Sequence, residues 1–317
     1  MNRRLFSSLA LTPLLVAALP GQPAAAQAGA APFTVVETGQ GFTSLQEAVR
    51  AIGDGDGTIS IAPGRYRDCA VQEAGRIAFV ARERGTAIFQ GEMCESKATL
   101  VLRGRASHVE GLTFQGASVP DGNGAGIRME KGNLTVSWTG FANGQCGILS
   151  ANDPASSIEI DRSTFSGLGK HPDGNGAHAL YIGEYGSLKI TRSRFERGTG
   201  GHYVKTRSPR IEVTDSSFDD SQGRTTNYMI DLSVGASGRI ARNTFVNGVG
   251  KENYSTMVTV APEGQTHSSA ALVVENNDVS LAPGVRYTTV FVGNWSDDEP
   301  VVRNNRLGPG VKALEGR

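Results

Sequence analysis

The chain has 317 residues, 41 of them Gly, and equal numbers of acidic and basic side chains, so its formal net charge is zero. That length can bury a sizeable core, and the even balance argues against nucleic acid, whose phosphates demand a basic surplus. The charge is uneven locally: Asp161–Arg210 holds nine Lys or Arg, four Asp or Glu and three His, which suits an acidic partner or plain solvation.

In chain order, Arg3 and Arg4 precede the apolar run Leu5–Leu19, and Ala26-Gln27-Ala28 fits a small-residue cleavage site. The expectation is a signal peptide over 1–28 and one mature domain over 29–317, periplasmic or secreted. Arg3-Arg4-Leu5-Phe6 also admits a twin-arginine signal. The apolar run is too short to span a bilayer and contains Pro13, and no integral membrane segment is expected after it.

Residues 33–57 predict a cap. Thr43 or Ser44 can start a helix in which Leu45, Ala48, Val49 and Ile52 share one face. Asp54–Gly57 ends it, Thr58–Ile61 alternates as a strand, and Pro63-Gly64 turns the chain. One amphipathic helix ahead of a strand-rich body would cover the open end of a solenoid. Cys69 and Cys94 are 25 residues apart, about one repeat, and are expected to bridge neighbouring layers in an oxidising compartment. Cys146, in an apolar strand, reads as a buried thiol.

A repeat runs from Leu100 onward. An apolar residue follows a short turn at Phe114, Phe141, Phe165, Phe195, Phe218, Phe245, Val279 and Leu307, with spacings of 27, 24, 30, 23, 27, 34 and 28. Five residues earlier stands Val109, Val136, Ile160, Ile190, Val213, Ile240, Val274 or Val302. Two residues before most members of the first column is a short polar side chain: Thr139, Ser163, Ser193, Ser216, Asn243, Asn277 and Asn305. Ser and Asn suit such a turn because they bond nearby backbone, and Asn tolerates the left-handed conformation. A second strand follows after a loop of variable length, at 126–129, 145–149, 179–182, 203–206, 229–232, 257–260 and 289–292. Long helices are absent, so stacked coils are expected, each lending one strand to each of several parallel sheets.

These ladders, with Gly41-Phe42-x-Ser44-Leu45-Gln46-x-Ala48-Val49 and Ile59-x-Ile61-x-Pro63-Gly64-x-Tyr66 at the start, resemble the pectate-lyase-like superfamily across residues 58–307. The resemblance implies an all-β fold, a right-handed parallel β-helix with an N-terminal amphipathic helix cap. It does not choose among the lyases, hydrolases, epimerases, esterases and adhesive proteins that share this fold.

Stacking the second strands puts Arg128, Tyr181, Lys205, Asp231 and Thr259 in one outward row, with His178, His202 and Tyr228 at the loop junction beside it. Around Tyr181 the register is open by one residue, which would turn Leu180 outward instead. Lys205 and Asp231 are expected on adjacent coils of an exposed face, overhung by loops 168–178 and 219–227. Breaking an acidic polysaccharide by β-elimination requires a neutralised carboxylate and groups that move protons. Lys205, Tyr181, His178, His202 and Asp231 are therefore the catalytic candidates, and Arg128, His171, Arg207, Tyr203 and Tyr228 the substrate-binding ones. Val204-Lys205-Thr206 resembles the Val-Lys-Ser of alginate- and chondroitin-type lyases, which implies Lys205 as base; those enzymes carry Arg where this chain has Asp231.

Pro120–Ala125 recurs as Pro172–Ala177. Asp121, Asn123, Asp173 and Asn175 could offer oxygens to Ca²⁺, or could simply close Asx turns. Asp219-Asp220 reads as a turn. The expected function is action on an acidic, uronic-acid-containing polysaccharide by β-elimination, carried out by a monomer. The alternative is a non-catalytic carbohydrate-binding or envelope-associated protein. Glycoside hydrolysis would need Asp231 opposed to Asp173 or Glu184.

Overall fold

The structure, a computed structural model, describes residues 31–169 and 177–316. Three sheets of twelve, ten and ten strands form the body, and each coil gives one strand to each sheet. Neighbouring strands run parallel, except that Phe33–Val35 is antiparallel to both Gln40–Phe42 and Asp56–Ile61. The result is a parallel β-solenoid.

The columns read from the sequence are the registers of these sheets. Val109, Val136, Ile160 and Ile190 are consecutive partners in the twelve-stranded sheet, and Val213, Ile240, Val274 and Val302 continue the line. In the next sheet the rings from Phe89 to Phe245 stack face to face, with centroids 4.7–5.7 Å apart. Val279 and Leu307 extend that column. A spacing near 4.8 Å is what parallel strands impose, and it matches the offset stacking that aromatic rings favour.

The turn between these two sheets is a hydrogen-bond ladder running along the solenoid. The backbone N–H of Thr139 donates to Ser163 Oγ, that of Ser163 to Ser193 Oγ, and that of Ser193 to Ser216 Oγ, at 3.0–3.2 Å. Ser216, Asn243 and Asn277 donate in the same way to Asn243, Asn277 and Asn305 Oδ1, all at 2.9 Å. The left-handed residue is not the Ser or Asn that the sequence suggested but the one before it: Trp138, Arg162, Arg192, Asp215, Arg242, Asn276 and Asn304 have φ of 46–57°. The polar side chain points inward to accept from the preceding coil, so the residue before it makes the sharp corner.

The helix Leu45–Ile52 buries Leu45, Ala48 and Val49. Ser44 stands at its N-cap without a side-chain bond, and Asp68 Oδ2 accepts the Leu45 N–H instead, at 2.8 Å. Gln46 exchanges two hydrogen bonds with the backbone of Val71, on the first strand of the second ten-stranded sheet. That pairing engages a sheet edge otherwise open to other chains. Cys69 and Cys94 are joined in a disulfide. Cys146 is a buried free thiol whose pKa burial pushes up to about 11. Among the described residues no helix is long and apolar enough to cross a membrane.

Candidate functional site

The outer face of the second ten-stranded sheet carries the candidate chemistry. Its register runs Arg128, Leu149, Tyr181, Lys205, Asp231, Thr259 through consecutive strands. The row read from the sequence is thus assembled, with Leu149 between Arg128 and Tyr181. Leu180 lies in the core and Tyr181 points outward, which settles the register left open there.

Lys205 and Asp231 occupy adjacent coils, but not on an exposed face: they are only 7% and 1% exposed. Lys205 Nζ pairs with Asp231 Oδ2 at 2.9 Å and also with Glu263 Oε1. Glu263, from the segment after strand Thr256–Val260, is a second acid on Lys205 that the sequence did not point to; most of loop 168–178 lies outside the described residues. Asp231 also accepts the hydroxyls of Ser233, at 3.0 Å, and Thr259, at 2.9 Å. Burial works against the Lys205 charge, yet the two carboxylates outweigh it and hold its pKa above the ordinary lysine value. A lysine so held stays protonated at neutral pH and cannot act as a general base.

Beside this pair the rings of His178, His202 and Tyr228 stack, with centroids 4.7 and 5.3 Å apart. The His202 N–H donates to His178 Nδ1, and the Tyr228 N–H to His202 Nδ1. An accepting Nδ1 puts the ring proton on Nε2, and His202 Nε2 faces Asp231 Oδ2 at 3.5 Å. Burial, with His202 and Lys205 charges near His178 and Lys205 and Lys251 charges near His202, lowers both imidazoles to about 3. They are neutral at physiological pH and shape the site rather than supply charge. His178 also meets the Tyr181 ring edge-on at 5.3 Å.

Next to Tyr181 opens a cleft of about 580 Å³ reaching from Lys97 to Arg207. Arg207 donates to the Tyr181 hydroxyl and to Glu263, and its guanidinium lies 5.4 Å over the Tyr181 ring. Arg128 is the exception in a face where most charges are matched. Its Nε is buried with no hydrogen-bond partner among the described residues, and Glu130 is 3.8 Å away. Both oxygens of Glu130 are already taken, by Lys97 at 2.9 Å and Arg103 at 2.6 Å.

Two readings need correction. Tyr203 cannot touch a substrate: it is buried, and its hydroxyl donates to Asp220 Oδ1 at 2.7 Å while accepting the Gly198 N–H. Asp231 cannot serve a glycosidase either, since its oxygens are spent inside. Asp219 does make a turn, accepting the Ser221 N–H, but Asp220 is a buried anchor for Tyr203, Thr226 and Lys251. Asp121 accepts the Asn123 N–H at 2.9 Å, an Asx turn. Among the described residues no three His, Cys, Asp or Glu converge as a metal site would require. His171, Asp173 and Asn175 lie outside the described residues.

Two residues that position this face were not singled out from the sequence. Gln145 pins the cleft-edge loop by accepting the N–H of Val119 and Gly124 while donating to Val119 O. Glu263 had one visible signal, the 34-residue gap between Phe245 and Val279, the longest in the column.

A family model described as the right-handed beta helix region matches residues 125–307. The chain belongs to this β-helix family. Among solved structures it is similar to ORF18 of Geobacillus virus E2, with 14% identity and a TM-score of 0.45, over 83% of this chain and 59% of that one. It is also similar to PfbA, a surface protein and adhesin of Streptococcus pneumoniae, with 10% identity and a TM-score of 0.35, over 86% and 94% of the two chains. Both are likenesses of fold alone, and the chain spans about 59% of the length of the viral protein. No curated protein matches this β-helix.

Proposed function

We propose that this β-helix protein acts on an acidic, uronic-acid-containing polysaccharide held in the cleft between Lys97 and Arg207. The observation that carries the reading is Arg128, a cation lining the cleft whose neighbouring carboxylate is already engaged. A sugar carboxylate in the cleft would give the Arg128 guanidinium a closer partner than Glu130 at 3.8 Å. For β-elimination the proton-moving group is Tyr181, not Lys205. The Tyr181 side chain borders the cleft, and its hydroxyl accepts a hydrogen bond from Arg207. In that role the Tyr181 oxygen would take the C5 proton of the uronate as the C4–O bond breaks and the C4–C5 double bond forms, and would pass that proton to the departing C4 oxygen. Incubation with a panel of uronic-acid polymers, followed by the absorbance of unsaturated ends, tests this. Wild type should produce them and Tyr181→Phe should not; turnover undiminished in Tyr181→Phe would sink that role.

One observation favours the non-catalytic alternative: the lysine equivalent to the lyase base is locked between Asp231 and Glu263. Polymer binding with no unsaturated product from wild type would select that reading. The same proposal includes export with loss of residues 1–28, supported by the Cys69–Cys94 disulfide, a bond that persists in oxidising compartments. It also takes the helix Leu45–Ile52 as the cap over the first coil, supported by its buried face and its bonds to Val71.

A further inference from the structure

We infer that Lys251 and Asp220 are the two ends of a self-formed amide cross-link that ties one coil to the next. Neither residue lines the cleft, so the bond does not depend on what the cleft binds. Asp220 follows the strand Ser217–Asp219, in the sheet that carries the Phe column. Lys251 lies in the short strand Gly250–Lys251, which pairs with Arg224–Thr226 in a two-stranded sheet outside the three sheets of the body. Neither side chain is exposed, and Lys251 Nζ is 3.3 Å from Asp220 Oδ2. The Tyr203 hydroxyl donates to Asp220 Oδ1 and the Thr226 hydroxyl to Oδ2, each at 2.7 Å. Lys251 Nζ also donates to Asn227 O, which holds the amine in place. An amine, a carboxyl group and two hydroxyl donors thus meet inside the protein.

Lys205 is the contrast, since two carboxylates keep it charged. Lys251 faces one, and burial outweighs it, so its amine is held below the ordinary lysine value. A desolvated lysine of this kind is a nucleophile. Keeping a sealed ion pair charged costs desolvation on both sides, whereas an amide carries no charge. Transfer of one Nζ proton to Oδ2 gives a neutral amine beside a neutral acid. The Nζ lone pair attacks Cγ, and the Tyr203 hydroxyl stabilises the charge that develops on Oδ1. A second Nζ proton passes to Oδ2, the Cγ–Oδ2 bond breaks, and Oδ2 leaves as water from beside the Thr226 hydroxyl. One proton stays on nitrogen and two leave with the water, so no other reactant is needed. The amide keeps its N–H for Asn227 O and its carbonyl for Tyr203. One rival electrophile lies close by. Asp219 pairs with Val246, so Asp220 and Asn247 hold the same position on adjacent coils. Asn247 is buried, and neither atom of its amide has a hydrogen-bond partner among the described residues. Attack there would release ammonia in place of water.

The test is mass spectrometry of the purified protein with its disulfide reduced. Wild type should weigh one water less than its sequence, counted from the measured N-terminus. A proteolytic digest should contain a branched peptide that joins the segment holding Asp220 to the segment holding Lys251. Lys251→Arg should carry its full mass, and a missing water that persists in it would overturn the inference. So would a wild-type mass equal to the sequence, or a missing water mapped to any other pair of residues. Loss of ammonia with the branch at Asn247 would overturn it as well. If Lys251→Arg fails to fold, the wild-type digest decides alone.

Discussion

Lys205 holds its positive charge between Asp231 and Glu263 where water scarcely reaches, and the hydroxyls of Ser233 and Thr259 complete the coordination of Asp231. Removing one partner of such a pair leaves an uncompensated buried charge. Asp231→Ala should therefore cost about 3–5 kcal/mol of stability in a urea titration. A loss below about 1 kcal/mol would mean that the pair is better hydrated than its burial implies. The histidines beside it give stability a pH dependence with a definite sign. Their folded pKa of about 3 lies below the ordinary 6.5, so the unfolded chain binds protons that the folded one refuses. Their contribution is complete above pH 6.5 and is lost as the pH falls below it, by up to about 1.4 kcal/mol per pH unit for each ring. Urea titrations at pH 7, 6 and 5 should show this decline, and a flat profile would contradict the buried ladder. At this scale the sequence was half legible. Strand alternation placed Lys205 and Asp231 on one row, but their burial depends on Glu263, 32 residues beyond Asp231, and no local pattern announces such a cover.

The coil is the element that repeats, and its stability is written in columns. Phe195 stacks at 4.7 and 4.9 Å on Phe165 and Phe218 and is fully buried. Truncation to Ala should cost about 3–5 kcal/mol, read from the denaturation midpoint. Asn243 accepts the Ser216 N–H and donates to Val213 O and to Asn277 Oδ1. Asn243→Ala would strand buried partners on adjacent coils at about 1–3 kcal/mol, whereas Asn304→Ala, at the exposed corner of the last turn, should cost much less. These elements were legible because stacking forces each coil to present the same residue type at the same place, so a period appears even though the loops vary. The corner conformation was not. Left-handed φ falls on Trp, Arg, Asp and Asn alike, so residue identity gives no signal for it.

For the molecule as a whole, a neutral chain is built as a stack of coils whose charged groups are largely paired along one face, where Arg128 shares Glu130 with Lys97 and Arg103 and stands furthest from it. The Cys69–Cys94 bridge ties the first coil to the second. The Cys69→Ser, Cys94→Ser double variant should lose about 2–4 kcal/mol of stability, without change in polymer affinity. The architecture could be read from spacing alone, whereas the cleft could not. It exists because loops of unequal length stand around a regular sheet, and Arg128 lacks a close partner for its Nε because Lys97 and Arg103 lie nearer Glu130. Calorimetric titration of a uronic-acid polymer into wild type and Arg128→Ala puts that reading to its most direct trial. The dissociation constant should rise at least tenfold, about 1.4 kcal/mol, with the melting temperature held, because Arg128 spends no hydrogen bond of its Nε on the fold. Equal affinity in the two proteins would contradict it.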